Sequence, residues 1–267
     1  QFLKAWCLLS RVHSDAYFRG HDHTPGRLAL AHAALQTALR LQPDAGEVHL
    51  ALGVYYYHGF RDYPRARSEL AIAKRTLPNN SDVFLYTGNI SRREGHWEDA
   101  TSYLQRALQL DPRNFFILNQ LALAYGWQHR YAEEADTYDR ALEIIPADPQ
   151  TRILRALVAL DWKADIKPFQ TTLANLIAEN PAVAPDVDPP LYALCERTAS
   201  AAMRTLTNYP RAGVANNGIN YPYEYWEGAI ARFQRNIPAA QTAFGVARKE
   251  VENSLGKRPD FAAASSL

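Results

Sequence analysis

Prolines recur along the chain at an almost constant distance. Pro43, Pro78, Pro112, Pro146 and Pro181 are separated by 35, 34, 34 and 35 residues. A prolyl residue lacks the amide hydrogen that a helix interior needs, and it disfavours helical geometry in the residue before it. The spacing therefore predicts that one helical unit is repeated along the chain and that each copy ends near a proline.

Small residues occupy fixed positions before these prolines. Ala107, Leu104 and Ala100 lie five, eight and twelve residues before Pro112, and Gly88 lies twelve residues before Ala100. Small side chains at helical spacing let the two helices of a hairpin approach closely, while larger apolar residues fill the gap to the next hairpin. Because a single hairpin cannot bury both of its faces, this pattern predicts a stack of hairpins.

These positions resemble the tetratricopeptide repeat. The second unit matches its pattern of Leu-Gly, Tyr, Ala, Leu, Ala and a closing Pro at Leu52, Gly53, Tyr56, Ala66, Leu70, Ala73 and Pro78. The fourth unit departs from the pattern, because Glu134 stands where alanine is expected. The resemblance implies an all-α, right-handed α-solenoid of about six helical hairpins that binds proteins and is not an enzyme.

The pattern also divides the chain into segments. Residues 1–181 are predicted to hold five repeats, the first with a stretched loop and the fifth degenerate. Residues 182–225 are predicted to form a connector, a helix or short hairpin, and an irregular loop at 209–223 that is rich in turn residues. Residues 226–267 are predicted to hold a final hairpin and the start of a truncated repeat. Both ends would then fall within repeats, so we expect a fragment of a longer protein.

Composition narrows the choice of partner. The chain has 29 Lys and Arg against 28 Asp and Glu, a formal charge of +1. A protein that binds nucleic acid non-specifically normally has a larger basic excess. Moreover, no apolar run reaches the roughly 18 residues that a membrane-spanning helix needs. We therefore expect a protein or peptide partner, without nucleic-acid binding or membrane insertion. The sequence leaves the oligomeric state and the cellular compartment open.

A finer likeness concerns the context of the repeats. Several phrases resemble the repeat region of large bacterial signalling proteins, in which such a region follows a serine/threonine kinase or a winged-helix regulatory module. These phrases are RVHSD, HDHTP, DAGEVHLALG and RDYPRARSELAIAK. The likeness implies a sensor or docking segment of a larger protein.

The resemblance also implies a binding surface. In tetratricopeptide proteins the first helix of each hairpin lines the concave side of a superhelix, where an extended peptide or a helix binds. The corresponding candidate residues here are Tyr57, Asn89, Arg92, Arg93, Asn119, Trp127 and Trp162. Aromatic rings offer contact area, arginines bind carboxylates and asparagine can hold a peptide backbone. The same aromatic rings could instead pack one hairpin against the next, and this alternative stays open.

One clamp of the family is matched poorly. Some members hold the acidic tail of a chaperone with lysines and asparagines on three successive helices. Asn89 matches one element of that clamp, but Leu85 replaces the expected lysine and Asn119 and Gln120 do not complete the set. The resemblance therefore does not extend to chaperone-tail binding.

The sequence gives only weak signals for a metal site or a catalytic site. His21 and His23 have the spacing of a ligand pair, but no third metal ligand follows at a defined distance. Thr24 and Pro25 more simply predict the start of a helix. Because motifs for nucleotide phosphates, serine nucleophiles and zinc proteases are absent from the sequence, we expect no catalytic residue, metal or cofactor.

Two other functions stay open at this point. One is an enzyme or metal-binding protein whose site lies in the loop segments 18–25 and 209–223. The other is a purely architectural or oligomerisation solenoid.

Overall fold

The computed structural model describes residues 2–180, 194, 199–207, 209, 211, 214–216 and 219–257. These described residues form thirteen helices and one two-stranded ribbon, so the expected all-helical class is confirmed apart from the ribbon. The chain divides into two compact units, residues 1–172 and residues 173–267.

The helices have these bounds: α1 Leu3–Phe18, α2 Pro25–Leu41, α3 Gly46–Phe60, α4 Tyr63–Thr76, α5 Ser81–Arg93, α6 Trp97–Leu110, α7 Phe115–Trp127, α8 Tyr131–Ile144, α9 Pro149–Lys163, α10 Lys167–Glu179, α11 Ala199–Thr207, α12 Tyr223–Phe233 and α13 Ile237–Lys257. The strands are β1 Val214–Asn216 and β2 Ile219–Tyr221. Helices α1 and α2, α3 and α4, α5 and α6, α7 and α8, and α12 and α13 pack as hairpins. The predicted α-solenoid is thereby confirmed.

Polar side chains cap the helices near the recurring prolines. Asn80 accepts hydrogen bonds from the first amides of α5, Asn114 accepts one from Ile117 N at 3.1 Å, and Asp148 caps α9. The predicted helix start at Thr24 is also confirmed, because its hydroxyl accepts from Arg27 N at 3.3 Å. These caps satisfy amides that the first helical turn leaves free.

The turns inside the hairpins share a left-handed residue. Four of these residues are not glycine and have φ between 53° and 61°: Arg61, His129, Ala164 and Arg235. Gly20 and Gly95 have φ of 79° and 81° at the corresponding turns of the first and third hairpins. A non-glycine residue in this region costs about 1–2 kcal/mol, so three hairpins and the turn after α9 carry a local strain that glycine would relieve.

Small residues bring the two helices of each hairpin together, as the sequence predicted. Ala100 and Ala107 are fully buried. A Cβ added to Gly88 would lie 2.9 Å from Leu104 Cγ and 3.1 Å from the backbone oxygen of Ala100. Glycine is therefore required by the close approach of α5 and α6, and Leu104 occupies the space that a side chain would need.

The second unit contains the segment that the sequence predicted as an irregular loop. Part of that segment forms the antiparallel ribbon, in which Val214 pairs with Tyr221 and Asn216 pairs with Ile219. The core of this unit consists of apolar and aromatic residues from α11, α12 and the segment between them: Ala202, Leu206, Tyr209, Tyr223, Trp226 and Ile230. Tyr209 and Tyr223, at the two ends of the predicted loop, are therefore core residues. The predicted connector at 182–190 lies outside the described residues.

Candidate protein-binding surface

The first helices of the hairpins line one side of the first unit, here called the inner face (α1, α3, α5, α7 and α9). Successive members from α1 to α7 touch one another, and Asn119 on α7 accepts from Thr151 on α9 at 3.0 Å. Arg11 on α1 donates to Asp82 on α5 at 2.7 Å, across the intervening α3. Hairpins 1 and 3 therefore contact each other on the inner face.

The part of the inner face that belongs to hairpins 1 and 2 is filled by the chain's own rings. Phe18 stacks on His58 with ring centroids 4.4 Å apart and lies 5.4 Å from Tyr57. Tyr57, a predicted ligand contact, is only 2% exposed and belongs to a hydrophobic core cluster. Burial, followed by the charge of Arg19, lowers the pKa of His58 to about 3, so His58 is neutral at physiological pH.

Arg92 and Arg93 lie at the end of α5, beside this filled region. Arg92 is partly buried and donates to Gln120 Oε1 at 2.6 Å. Arg93 is exposed, and its Nε donates to the Tyr57 hydroxyl at 3.5 Å while its guanidinium lies 5.7 Å from the Phe18 ring. Burial lowers the pKa of Arg92, and the charge of Arg93 adds to this effect. Within the described part of the chain neither arginine forms an ion pair, so both are available to a carboxylate.

The two predicted asparagines have different surroundings. Asn89 is 4% exposed, and its Oδ1 has no hydrogen-bond partner among the described residues. Asn119 donates from Nδ2 to the backbone oxygen of Phe115 at 2.9 Å and accepts from Thr151, so both ends of its amide are engaged within the first unit. Asn89 thus has a free acceptor, whereas Asn119 ties α7 to α9.

The two predicted tryptophans lie at the turn ends of α7 and α9. Trp127 is 67% exposed and stacks on Trp97 at 5.9 Å between ring centroids. Trp162 is 49% exposed and stacks on Tyr131 at 6.3 Å. Each pair joins the second helix of one hairpin to the first helix that follows it, α6 to α7 and α8 to α9. The rings therefore pack between helices and still expose about half of their surface.

The sequence did not point to three polar groups that interact in the structure. They are the carboxyls of Glu134 and Asp161 and the hydroxyl of Tyr138. Glu134 is 7% exposed, and its carboxyl covers Gly126 so closely that an added Cβ would lie 2.6 Å from Oε1. Neither Glu134 Oε2 nor the Tyr138 hydroxyl has a hydrogen-bond partner in the described chain. Burial and then the charge of Asp161 raise the pKa of Glu134 to about 7. The available signal was the replacement of the repeat's alanine by Glu134.

The polar groups of segment 18–25 organise the start of α2. Asp22 accepts from the Thr24 hydroxyl at 2.6 Å and from Arg27 Nε at 2.9 Å. His23 Nδ1 lies 2.9 Å from the backbone oxygen of Tyr17. Among the described residues there is no group of three or more His, Cys, Asp or Glu placed to hold a metal ion. None of the described helices is both long and apolar enough to span a membrane.

A separate cavity of about 380 Å³ lies at α2, α3 and the start of α4. Its walls include the rings of Tyr55, Tyr56 and Phe60, with Arg65 stacked over Tyr56 at 5.7 Å. Asp62 both caps α4 and pairs with Arg65 at 3.3 Å. The charged groups at this cavity are thus already engaged with one another.

Comparison with known families identifies part of the chain. Two models described as tetratricopeptide repeat match residues 26–81 and 81–114. Residues 26–114 carry tetratricopeptide repeats. Repeats of this kind generally act as protein-interaction scaffolds. No curated protein sequence matches the chain.

One solved structure extends the likeness of fold beyond the tetratricopeptide segment. A tetratricopeptide repeat protein from Parabacteroides merdae is 16% identical, with a TM-score of 0.64, and the match covers 98% of this chain and 99% of that one. YrrB, described as a TPR protein with an unusual peptide-binding site, is 20% identical over 65% of this chain and 85% of its own, with a TM-score of 0.49. MamA is 19% identical over 60% of this chain and 94% of its own, with a TM-score of 0.48. At these identities the likeness concerns the fold alone.

Proposed function

We propose that the first unit is a non-catalytic scaffold that binds an acidic segment of a partner protein on its inner face, at Arg92 and Arg93. The observation that carries this proposal is that two consecutive arginines have only neutral hydrogen-bond partners among the described residues: Gln120 for Arg92 and the Tyr57 hydroxyl for Arg93. By contrast, Arg11 on the same face is paired with Asp82 at 2.7 Å. A ligand carboxylate would relieve the repulsion between the two cations and could accept two parallel hydrogen bonds.

Neighbouring groups fit an extended segment. The free Oδ1 of Asn89 can accept a backbone N–H if the side chain turns toward the ligand, and the exposed faces of Trp127 and Trp162 can cover apolar side chains. Tyr57 acts in this proposal through the hydroxyl that positions Arg93, because its ring is buried. Asn119 holds α7 against α9 and supports the surface.

The test is selection from a library of immobilised peptides with varied charge. We expect enrichment of sequences rich in Asp and Glu, with binding that weakens as salt is raised. Arg92→Gln/Arg93→Gln should reduce the affinity for selected peptides at least tenfold. Arg130→Gln is the matched control, because Arg130 already pairs with Glu133 at 2.8 Å and should not affect binding.

Two outcomes would overturn the proposal. One is selection without acidic enrichment, and the other is equal binding by the double variant and wild type. A concentration-independent dimer in light scattering, together with a failed selection, would favour the architectural role instead.

We also infer that the scaffold is the docking region of a larger bacterial signalling protein. The support is the resemblance of phrases such as HDHTP and DAGEVHLALG to the repeat regions of such proteins. Sequencing the complete gene tests the inference. A kinase or winged-helix module in the same reading frame is the expected result, and a complete reading frame without either module would refute it.

A further inference from the structure

We propose that Glu134 and Asp161 form a binding site for a protonated amine. The site deepens the proposed function and rests on it, because the amine would belong to the same segment that Arg92 and Arg93 hold by its carboxylates. Asp161 follows Trp127 by one repeat length, and Trp127 follows Arg93 by the same interval. The three residues therefore occupy equivalent places on α9, α7 and α5.

The first observation is that hairpin 4 places a carboxyl and a phenolic hydroxyl at two positions where hairpin 3 has apolar side chains. Glu134 stands one repeat length after Ala100, and Tyr138 stands one repeat length after Leu104. Both Ala100 and Leu104 are fully buried. The replacements are one helical turn apart on α8 and therefore lie on one face of that helix. Since a buried polar group without a partner destabilises a core, packing alone does not account for them.

The second observation is that the polar atoms are unpartnered although they are buried. Glu134 is 7% exposed and Tyr138 is 0% exposed, yet Glu134 Oε2 and the Tyr138 hydroxyl have no hydrogen-bond partner in the described chain. Gly126 on α7 contributes no side chain over the carboxyl, since a Cβ there would lie 2.9 Å from Oε2 as well. Because Gly126 has no side chain, the Glu134 carboxyl packs directly against α7.

The third observation is that Arg155, the one described cation that acts on the Glu134 carboxylate, already has an acidic partner. Arg155, which acts favourably on the Glu134 carboxylate, is held by Asp139 through two hydrogen bonds of 2.8 Å and 3.0 Å. Asp161 is exposed and raises the pKa of Glu134, so the two carboxyls repel each other when both are ionised. A bound cation would remove that repulsion.

Three further ionisable groups lie around the site: the Tyr138 phenol, Arg92 and His129. Burial and the charge of Glu134 raise the pKa of Tyr138, which therefore stays protonated, whereas Arg92 acts in the opposite direction. Partial desolvation of its carboxyl raises the pKa of Asp161, and His129 lowers it. His129 lies 2.6 Å from the Tyr131 hydroxyl through Nδ1, so its ring is oriented by that contact.

A primary ammonium suits these acceptors. It is a compact charge with three donors, and the site offers Glu134 Oε2, the Tyr138 oxygen and the Asp161 carboxylate. Because a proton and the ammonium compete for Glu134, binding should strengthen as pH rises through about 7. The ammonium could come from a lysine side chain or from a peptide N-terminus, and both sources provide the same chemistry.

The experiment titrates the whole chain, followed by NMR, with three small probes. Nα-acetyl-lysine amide carries the side-chain amine, glycine amide carries the α-amine, and Nα,Nε-diacetyl-lysine amide is the neutral control. We expect one of the two amines to bind at pH 8, at least tenfold more weakly at pH 5.5, and the neutral probe not to bind. The stronger amine identifies the source.

Variants then assign the binding. Glu134→Gln and Asp161→Asn should each weaken the amine at least tenfold, whereas Glu133→Gln, a change at the exposed adjacent residue, should leave it unchanged. In wild type the carboxyl signal of Glu134 should titrate at lower pH when the amine is present. Absence of saturable amine binding, equal binding of the neutral probe, or unchanged binding by folded Glu134→Gln would each overturn the site. The acidic-peptide selection uses different variants, so it can succeed or fail independently of the amine titration.

Discussion

The buried carboxyl of Glu134 should make the stability of the first unit depend on pH. Its pKa is raised from 4.5 to about 7, so the folded protein binds this proton more tightly than the unfolded chain. Stability from this group is therefore complete below pH 4.5 and is lost as pH rises through about 7. The full difference corresponds to about 3 kcal/mol, and we expect about 1–2 kcal/mol after screening by solvent.

Glu134→Gln removes the titration while keeping the shape of the side chain. We expect the variant to be more stable than wild type by about 1–2 kcal/mol at pH 8, with a smaller difference at pH 5. The assay is urea unfolding followed by circular dichroism at both pH values. His58, with a pKa lowered from 6.5 to about 3, destabilises both proteins as pH falls below 6.5, and this effect cancels in the difference.

The control for this titration is Glu133→Gln. Glu133 is exposed and pairs with Arg130, which lowers its pKa, so the control should not change how stability varies between pH 5 and pH 8. A Glu134→Gln variant whose advantage is the same at both pH values would refute the reasoning, because a difference that does not depend on pH cannot come from ionisation.

Further predictions concern the packing of the hairpins. Gly88→Ala should destabilise the fold by about 1–2 kcal/mol in urea unfolding despite the better helix propensity of alanine, because its Cβ would lie 2.9 Å from Leu104 Cγ. Ala164→Gly should stabilise it by up to about 1 kcal/mol, because the residue has φ of 54°; a destabilised variant would contradict this. Trp127→Ala should lower stability by about 0.5–1.5 kcal/mol through loss of its stack on Trp97, and an unchanged melting temperature would show that the stack contributes nothing.

The hairpins could be predicted because their signals are local. Pro112 marks the end of one unit, while Gly88 and Ala100 report the closest approach of two helices within it. The ribbon of the second unit also has a local signal, since Asn217-Gly218 between apolar and aromatic residues is typical of two-residue hairpin turns. The prediction of a loop in this segment gave more weight to its many turn residues than to the strand-forming residues on either side of Asn217-Gly218.

The side-chain contacts could not be predicted, because they depend on the curvature of the stack. Arg11 and Asp82 are 71 residues apart and meet only where α1 and α5 converge across α3. The replacement of alanine by Glu134 was visible in the sequence. Its structural consequence depends on Gly126, which lies next to the Glu134 carboxyl only because α7 packs against α8. A repeat pattern specifies which helices are neighbours. The residues that differ between repeats determine which polar and charged side chains each hairpin carries.

Curvature also decides which hairpins can receive a ligand. At hairpins 1 and 2 the inner face closes on Phe18 and His58, so the available surface lies on α5, α7 and α9. Equivalent positions on these helices carry Arg93, Trp127 and Asp161, which are positive, aromatic and negative in that order. Under the two proposals a bound segment places its carboxylates toward α5 and its amine toward α9. The reversed orientation would bring like charges together at both ends, so the same three residues that bind the segment also fix its direction.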